Sequence, residues 1–183
     1  LWAKGDLTLL EQEGIALVGS RDLLPENEAF ARAVGREAAR QGFVLISGNA
    51  RGADRTAQNS ALASGGSVIS FLADRLTDHT PPPNALYLSE EGFDLEFSAP
   101  RALSRNRCIH ALGTAAIAAQ CSLRTGGTWD GSVKNLRFGW SPLYVFADGS
   151  ESCAVLSQMG AGVIGFDDLK NLRALPQMPQ LTW

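Results

Sequence analysis

Four short stretches gather side chains able to hold an anion: "GSR" at 19–21, "SGNARGAD" at 47–54, "RNR" at 105–107 and "TGGT" at 125–128. Gly19, Gly48, Gly52, Gly126 and Gly127 remove side chains where a phosphate would have to approach backbone N–H groups. Ser20, Ser47 and Thr128 add hydroxyl donors. Arg21, Arg51, Arg105 and Arg107 supply planar guanidinium forks, which grip a phosphate or carboxylate with two hydrogen bonds. Asp54 closes the second stretch and reads as a helix cap. This set can hold a phosphate; it lacks a nucleophile beside a base. No catalytic residue, metal site or cofactor is expected from it.

Those stretches need elements to position them. "GIALVG" at 14–19 is a short continuous apolar run, the pattern of a strand buried on both faces, and "FVLIS" at 43–47 and "GGSVISFLA" at 65–73 repeat it. Between them, Pro25 opens a helix whose Phe30, Val34 and Ala38 share one face, with Gly42 closing it, and a second helix is expected over 53–63. Strand and helix alternating in this way imply right-handed crossovers and a parallel sheet. "DHTPPPNA" at 78–85 must be a surface loop. "LYLSEEG" reads as a short strand, "PRALSRNRCIHALG" as a loop entering a helix, and "TAAIAAQC", "LYVFAD" and "GVIGF" as further strands. In an open parallel sheet the ligand lies beyond the carboxyl ends of the strands, which is where the candidate stretches fall.

Of 16 basic residues 13 are arginine, yet the net charge is −3, so a basic rim would have to be local and a general nucleic-acid coat is disfavoured. Arg55 and Arg124 belong with the rim. The stripe Arg32, Arg36, Arg40 is interleaved with Glu28 and Glu37 and reads as a solvated helix face. Trp129 and Trp140 suit either core packing or stacking on bases. His79 sits in the proline loop and His110 in an expected helix with no obvious acid or serine partner, so neither reads as a catalyst or metal ligand. The three cysteines, Cys108, Cys121 and Cys153, are odd in number and lack paired spacing, which fits reduced thiols in the cytoplasm. No apolar run reaches the ~18 residues of a membrane span, and no secretory leader is seen. The chain starts at Leu1 rather than methionine, which leaves room for flanking segments. A G-x-G-x-x-G fingerprint, a P-loop lysine and a G-x-S-x-G elbow are all missing, which weighs against tight NAD binding, P-loop ATP hydrolysis and serine hydrolysis.

Taken in order, "GIALVGSR", "GFVLISGNARGADRTAQNSALASGGSVISFLA", "SEEG" and "SRNRCIHALGTAAIAAQCSLRTGGT" resemble the DprA/Smf family of DNA-processing proteins. The resemblance implies a Rossmann-like α/β fold: a doubly wound, mostly parallel sheet of six or seven strands with helices on both faces, spanning 1–183 as one domain, with 170–183 as an exit linker. It also implies binding of single-stranded DNA without catalysis, a RecA-type recombinase as partner, and a homodimer. Carried over by residue, the pocket would use Gly19, Ser20 and Arg21; Ser47, Gly48, Arg51, Gly52 and Asp54; and Arg105, Asn106 and Arg107, with the later glycine turn at Gly126, Gly127 and Thr128. The chain departs from the family pattern at Gln58, where a histidine is usual, at Gln120, where a glutamate is frequent, at Leu103 and Ser104, and at Asp148. A nucleotide-binding or enzymatic reading stays open beside this one. "RTGGTWD" at 124–130 also resembles the glycine turn of LOG-type nucleoside-monophosphate phosphoribohydrolases, with Thr125 in place of a proline and Asp130 near the expected glutamate.

Overall fold

The computed structural model describes residues 1–176. Its strands are β1 (Trp2–Gly5), β2 (Gly14–Val18), β3 (Val44–Ser47), β4 (Val68–Leu72), β5 (Ala85–Ser89), β6 (Ala115–Ala118), β7 (Leu143–Phe146) and β8 (Gly162–Ile164). The helices are α1 (Pro25–Arg40), α2 (Ala53–Ala63), α3 (Ala99–Ser104), α4 (Asn106–Leu112), α5 (Gly126–Phe138) and α6 (Glu151–Gln158). All eight strands form one sheet in the order β1-β5-β4-β3-β2-β6-β7-β8. Only the β1–β5 pairing is antiparallel; every other neighbour pair is parallel.

Each apolar run is a strand because both of its faces are covered. In β2, Ile15 and Leu17 join a core layer with Phe30, Val34 and Ala38 of α1 and Ala53, Ala57 and Ala61 of α2. Ala16 and Val18 of the same strand point the other way, into a layer with Ile109 of α4 and Leu156 of α6, against which Val133 and Leu136 of α5 pack. The result is helix, sheet, helix: the Rossmann-like, doubly wound arrangement, with one strand more than seven. The addition is β1, an edge strand whose residues are exposed except for half-buried Lys4, so it lacks the continuous apolar run that marks the interior strands.

From β2 the chain builds outward through β3, β4 and β5, then crosses back and builds outward through β6, β7 and β8 on the other side. The reversal lies between β2 and β6, and a crevice opens there beyond the strand ends.

Three local expectations differ from the structure. Residues 99–112 are two helices broken at Arg105, where a loop leading into one helix was expected. α5 begins directly at Gly126 and continues through Gly131, so its glycines open and line a helix where a turn was read. The segment from 170 is also no linker up to 175: the 3-10 turn Asp168–Ala174 buries Leu169 and Leu172, Leu175 joins the same core layer, and the Gln41 side chain bridges the Leu169 carbonyl and the Leu172 N–H. The remainder of the expected linker, 177–183, lies outside the described residues.

Candidate functional site

The loop leaving β2 is stitched to the segment that follows β6 and to the start of α2. The Ser20 N–H donates to the Gln120 carbonyl at 3.0 Å, and the Ser20 carbonyl accepts from Ala53 N–H at 3.1 Å. Gln120 fixes the rest of the loop, accepting from Leu24 N–H at 2.8 Å and donating to the Asp22 carbonyl at 3.1 Å. Gln120 thus has a structural task of its own where the family pattern has a glutamate. With the backbone held, Arg21 projects as an exposed side chain, and among the described residues no carboxylate lies within ion-pair distance of it.

The loop leaving β3 is shaped from within. Asp54, 6% exposed, accepts from Gly48 N–H at 3.0 Å and Ala50 N–H at 3.2 Å. Those contacts make it the brace of the loop that precedes α2, in place of the helix cap expected from sequence. Gly52 holds φ +84° and ψ −127°, a conformation open to glycine alone. A β-carbon there would overlap the Ser20 and Arg21 carbonyl oxygens.

Over these two loops lies Arg105, at the break between α3 and α4. It is 7% exposed, and its Nε has no hydrogen-bond partner. No ion pair of Arg105 occurs among the described residues, although Asp54 is close enough to act on it electrostatically. Burial pushes the Arg105 guanidinium down from its ordinary value and the Asp54 carboxyl up from its own; the opposite charge of each tempers the other's shift. A buried guanidinium without a partner is costly.

Two cavities meet at this point. The first, about 360 Å³, sits at the β2/β6 reversal, and its wall includes Gly19, Ser20, Arg21, Asp54, Arg105 and Asn106. The start of α5 closes it with Gly126, Gly127 and Thr128, while Ala102, Leu103 and Ile109 supply an apolar side. Asn106 Nδ2 donates to the Gly127 carbonyl at 3.1 Å, tying α4 to α5. The second cavity, about 250 Å³, lies over the ends of β3 and β4 and includes Gly48, Asn49, Arg51 and Arg55. Arg21 and Arg105 stand in both walls.

Three of the residues carried over to the pocket, and Arg124 of the expected rim, are not in either wall. Ser47 is fully buried beneath the floor, where Gln58 Nε2 donates to its hydroxyl and to that of Ser70 at 2.5 and 2.7 Å. Gln58, at the family's histidine position, is therefore a bridge between β3 and β4. Gly52 acts on the loops, as described. Arg107 faces elsewhere and pairs with Glu90; residues two apart on a helix point about 200° from each other, so Arg105 and Arg107 cannot both enter one cleft. Arg51 lies in the second wall but is paired with Asp22 at 2.8 Å, both side chains being mostly exposed.

Sequence reasoning missed Phe97, which stands in the wall of the second cavity while 56% exposed. The signal available was an apolar residue at every second position, Phe93, Leu95 and Phe97, in a segment too acidic to be a buried strand. Asp130 is held by Lys134 Nζ at 2.8 Å and is absent from both walls. The stripe on α1 is the solvated face expected of it, with Arg32 on Glu28 and Arg40 on Glu37, each at 2.7 Å. No helix among the described residues is long and apolar enough to cross a membrane.

Comparison with known proteins bears on the family and the fold. The family described as DNA recombination-mediator protein A matches residues 1–171. The chain belongs to this family. The DNA processing protein DprA of Streptococcus pneumoniae is 30% identical over 180 aligned positions, covering 90% of this chain and 62% of that protein. The chain therefore spans about three-fifths of the length of this curated relative. Its X-ray structure superposes with a TM-score of 0.81 at 27% identity, over 96% of this chain and 66% of that one. A structure of DNA processing protein A from Helicobacter pylori, concerned with its single-stranded DNA binding mode, gives a TM-score of 0.78 at 27% identity, over 92% of this chain and 82% of that one. Every residue of the two cavity walls lies inside the span matched by the recombination-mediator family.

Proposed function

We propose that the cleft binds single-stranded DNA through its phosphates, without making or breaking a bond, as part of DNA processing. The observation that carries this reading is Arg105: a buried guanidinium, unpartnered at Nε, standing in the walls of both cavities. A phosphate in the cleft would pair with the Arg105 guanidinium, and Arg21 would take the same or the next phosphate along the strand. The two adjoining cavities suit a polymer better than an isolated nucleotide, which would fill one and leave the other to solvent. Membership of a recombination-mediator family and similarity to a relative studied for its single-stranded DNA binding support the same ligand. A family described as recombination mediators fits a recombinase as partner, and we extend the proposal to one of RecA type and to a homodimer acting in the cytoplasm.

The alternative chemistry, release of a base from a nucleoside monophosphate, calls for a carboxylate beside the glycine turn. Asp130 is drawn off by Lys134, so this reading has no favouring contact. The test of the main reading is an anisotropy titration with labelled oligo-dT at several salt concentrations. Contact with about three phosphates gives a log–log salt slope near −2. Undetectable binding, or binding indifferent to salt, would remove the proposal.

A further inference from the structure

Phe97 is a large apolar side chain that the fold leaves in water at a place where cations outnumber carboxylates. It is 56% exposed and shares the second cavity with Arg21, Arg51, Arg55 and Arg105, and with Asp74 as the cavity's carboxylate. Neither core layer includes it. Its support is nevertheless well fastened. Arg101 donates to the carbonyls of Leu95 and Glu96, both at 2.7 Å, and Arg75 pairs with the Glu96 carboxylate at 2.7 Å. The next residue along the chain, Ser98, caps α3 by accepting from Arg101 N–H at 3.3 Å. Arg101 is itself anchored, donating to the Ala73 carbonyl just past β4 at 3.0 Å and pairing with Glu91 at 3.3 Å. A ring held this firmly beside unpaired guanidinium groups is presented to a ligand that is anionic at one place and flat and apolar at the next.

We infer that Phe97 is a base-stacking platform: when a phosphate sits on Arg105, the base of a nucleotide in the second cavity lies on the Phe97 ring. The inference rests on the single-stranded DNA reading of the cleft and adds what recognises the bases. Stacking tolerates any base, since each has a π-face, so it adds affinity without sequence preference. The arginines read charge, and the ring reads the presence of a base. Arg101 is a positioning residue in this account, because it acts only through the backbone that carries the ring.

The two contributions separate experimentally. Phe97→Ala should weaken oligo-dT binding about tenfold, with the salt slope unchanged, because no phosphate contact is lost. Phe97→Trp should restore affinity. On an oligonucleotide of the same length built from abasic sugar–phosphate units, wild type and Phe97→Ala should bind alike. If wild type binds oligo-dT and Phe97→Ala binds equally well, the platform is refuted while the phosphate reading stands. The same holds if the variant loses as much affinity on the abasic strand, or if its salt slope falls, since the ring would then be supporting the arginines. Failure of wild type to bind either strand would instead refute the function on which the inference rests. Thermal unfolding of Phe97→Ala should match wild type, as expected for an exposed ring outside both core layers.

Discussion

The Arg105 guanidinium lies so tightly over Gly48 that a β-carbon at Gly48 would overlap Nη1, Cζ and Nη2 of the arginine. Gly48 does not adopt a positive φ, so its backbone would accept alanine. Its lack of a side chain makes room for Arg105, which supplies the three atoms nearest to such a β-carbon. Gly48→Ala should therefore expel the guanidinium and weaken oligonucleotide binding about tenfold or more, the scale of one charge-assisted hydrogen bond. Stability to urea should change by no more than about 1–2 kcal/mol. A variant that binds normally would mean that Arg105 is not the phosphate ligand.

The arginines of the four stretches should divide sharply. Arg21→Ala and Arg105→Ala should each lower affinity for all sequences alike and reduce the salt slope by roughly 0.7, one phosphate each. Arg107→Ala should stay within about twofold of wild type, since its guanidinium is occupied by Glu90 away from the cleft. Anisotropy with oligo-dT and a mixed-sequence oligonucleotide at three salt concentrations distinguishes these cases. Equal losses for all three variants would mean that Glu90 yields Arg107 to DNA.

That division shows what is legible in a sequence of this kind. The interior strands announce themselves because burial on both faces demands unbroken apolar runs, as in "GIALV" and "VISFL", and the α1 face declares its period through Phe30, Val34 and Ala38. β1 carries no such run because one side of it is the edge of the sheet. The glycines of "TGGT" suggest a turn, and only the fold reveals that α5 starts among them. Within "RNR" the residue types are plain but their directions are not: one arginine goes into the cleft, the next but one goes to a carboxylate. Helical geometry at a break between two helices decides which, and the break at Arg105 has no proline or glycine to mark it. Gln58 and Gln120 read as departures from a pattern until their partners are known; both then prove to hold the loops in place.

Gly52 separates loop architecture from ligand contact. It lies outside both cavity walls, yet its φ of +84° and its contact with the Ser20 and Arg21 carbonyls lock the β2 and β3 loops together. Gly52→Ala should cost about 3 kcal/mol or more in urea unfolding, combining a disallowed conformation with backbone overlap. Its binding defect should track this loss of folded loop structure, in contrast to Gly48→Ala. Were Gly52→Ala to fold with wild-type stability, the two loops would not depend on each other.

His110 gives the fold a titration that can be read in stability. The ring is fully buried between α4 and α5, close to Gly131, and neither nitrogen has a hydrogen-bond partner. Burial pushes its pKa down from 6.5 to about 4. The folded chain therefore keeps a neutral ring where the unfolded chain takes up a proton. This contribution is complete above pH 6.5 and is lost as pH falls from there towards about 4, amounting in full to roughly 3 kcal/mol. His110→Phe removes the titrating group and an unsatisfied polar one together, so its stability at pH 7.5 should be near or above that of wild type. Between pH 6.5 and 4.5 the variant should fall less steeply. Asp54, whose carboxyl is raised by burial, pulls the other way: its burial favours the protonated form, so stability rises as pH falls through its folded value. Because Asp54 is common to both proteins, the difference between the two urea curves isolates the histidine. Parallel pH profiles would mean that the protonated ring finds a partner, most directly by separation of α4 from α5, and the cleft that Asn106 and Gly127 close should then open with acid.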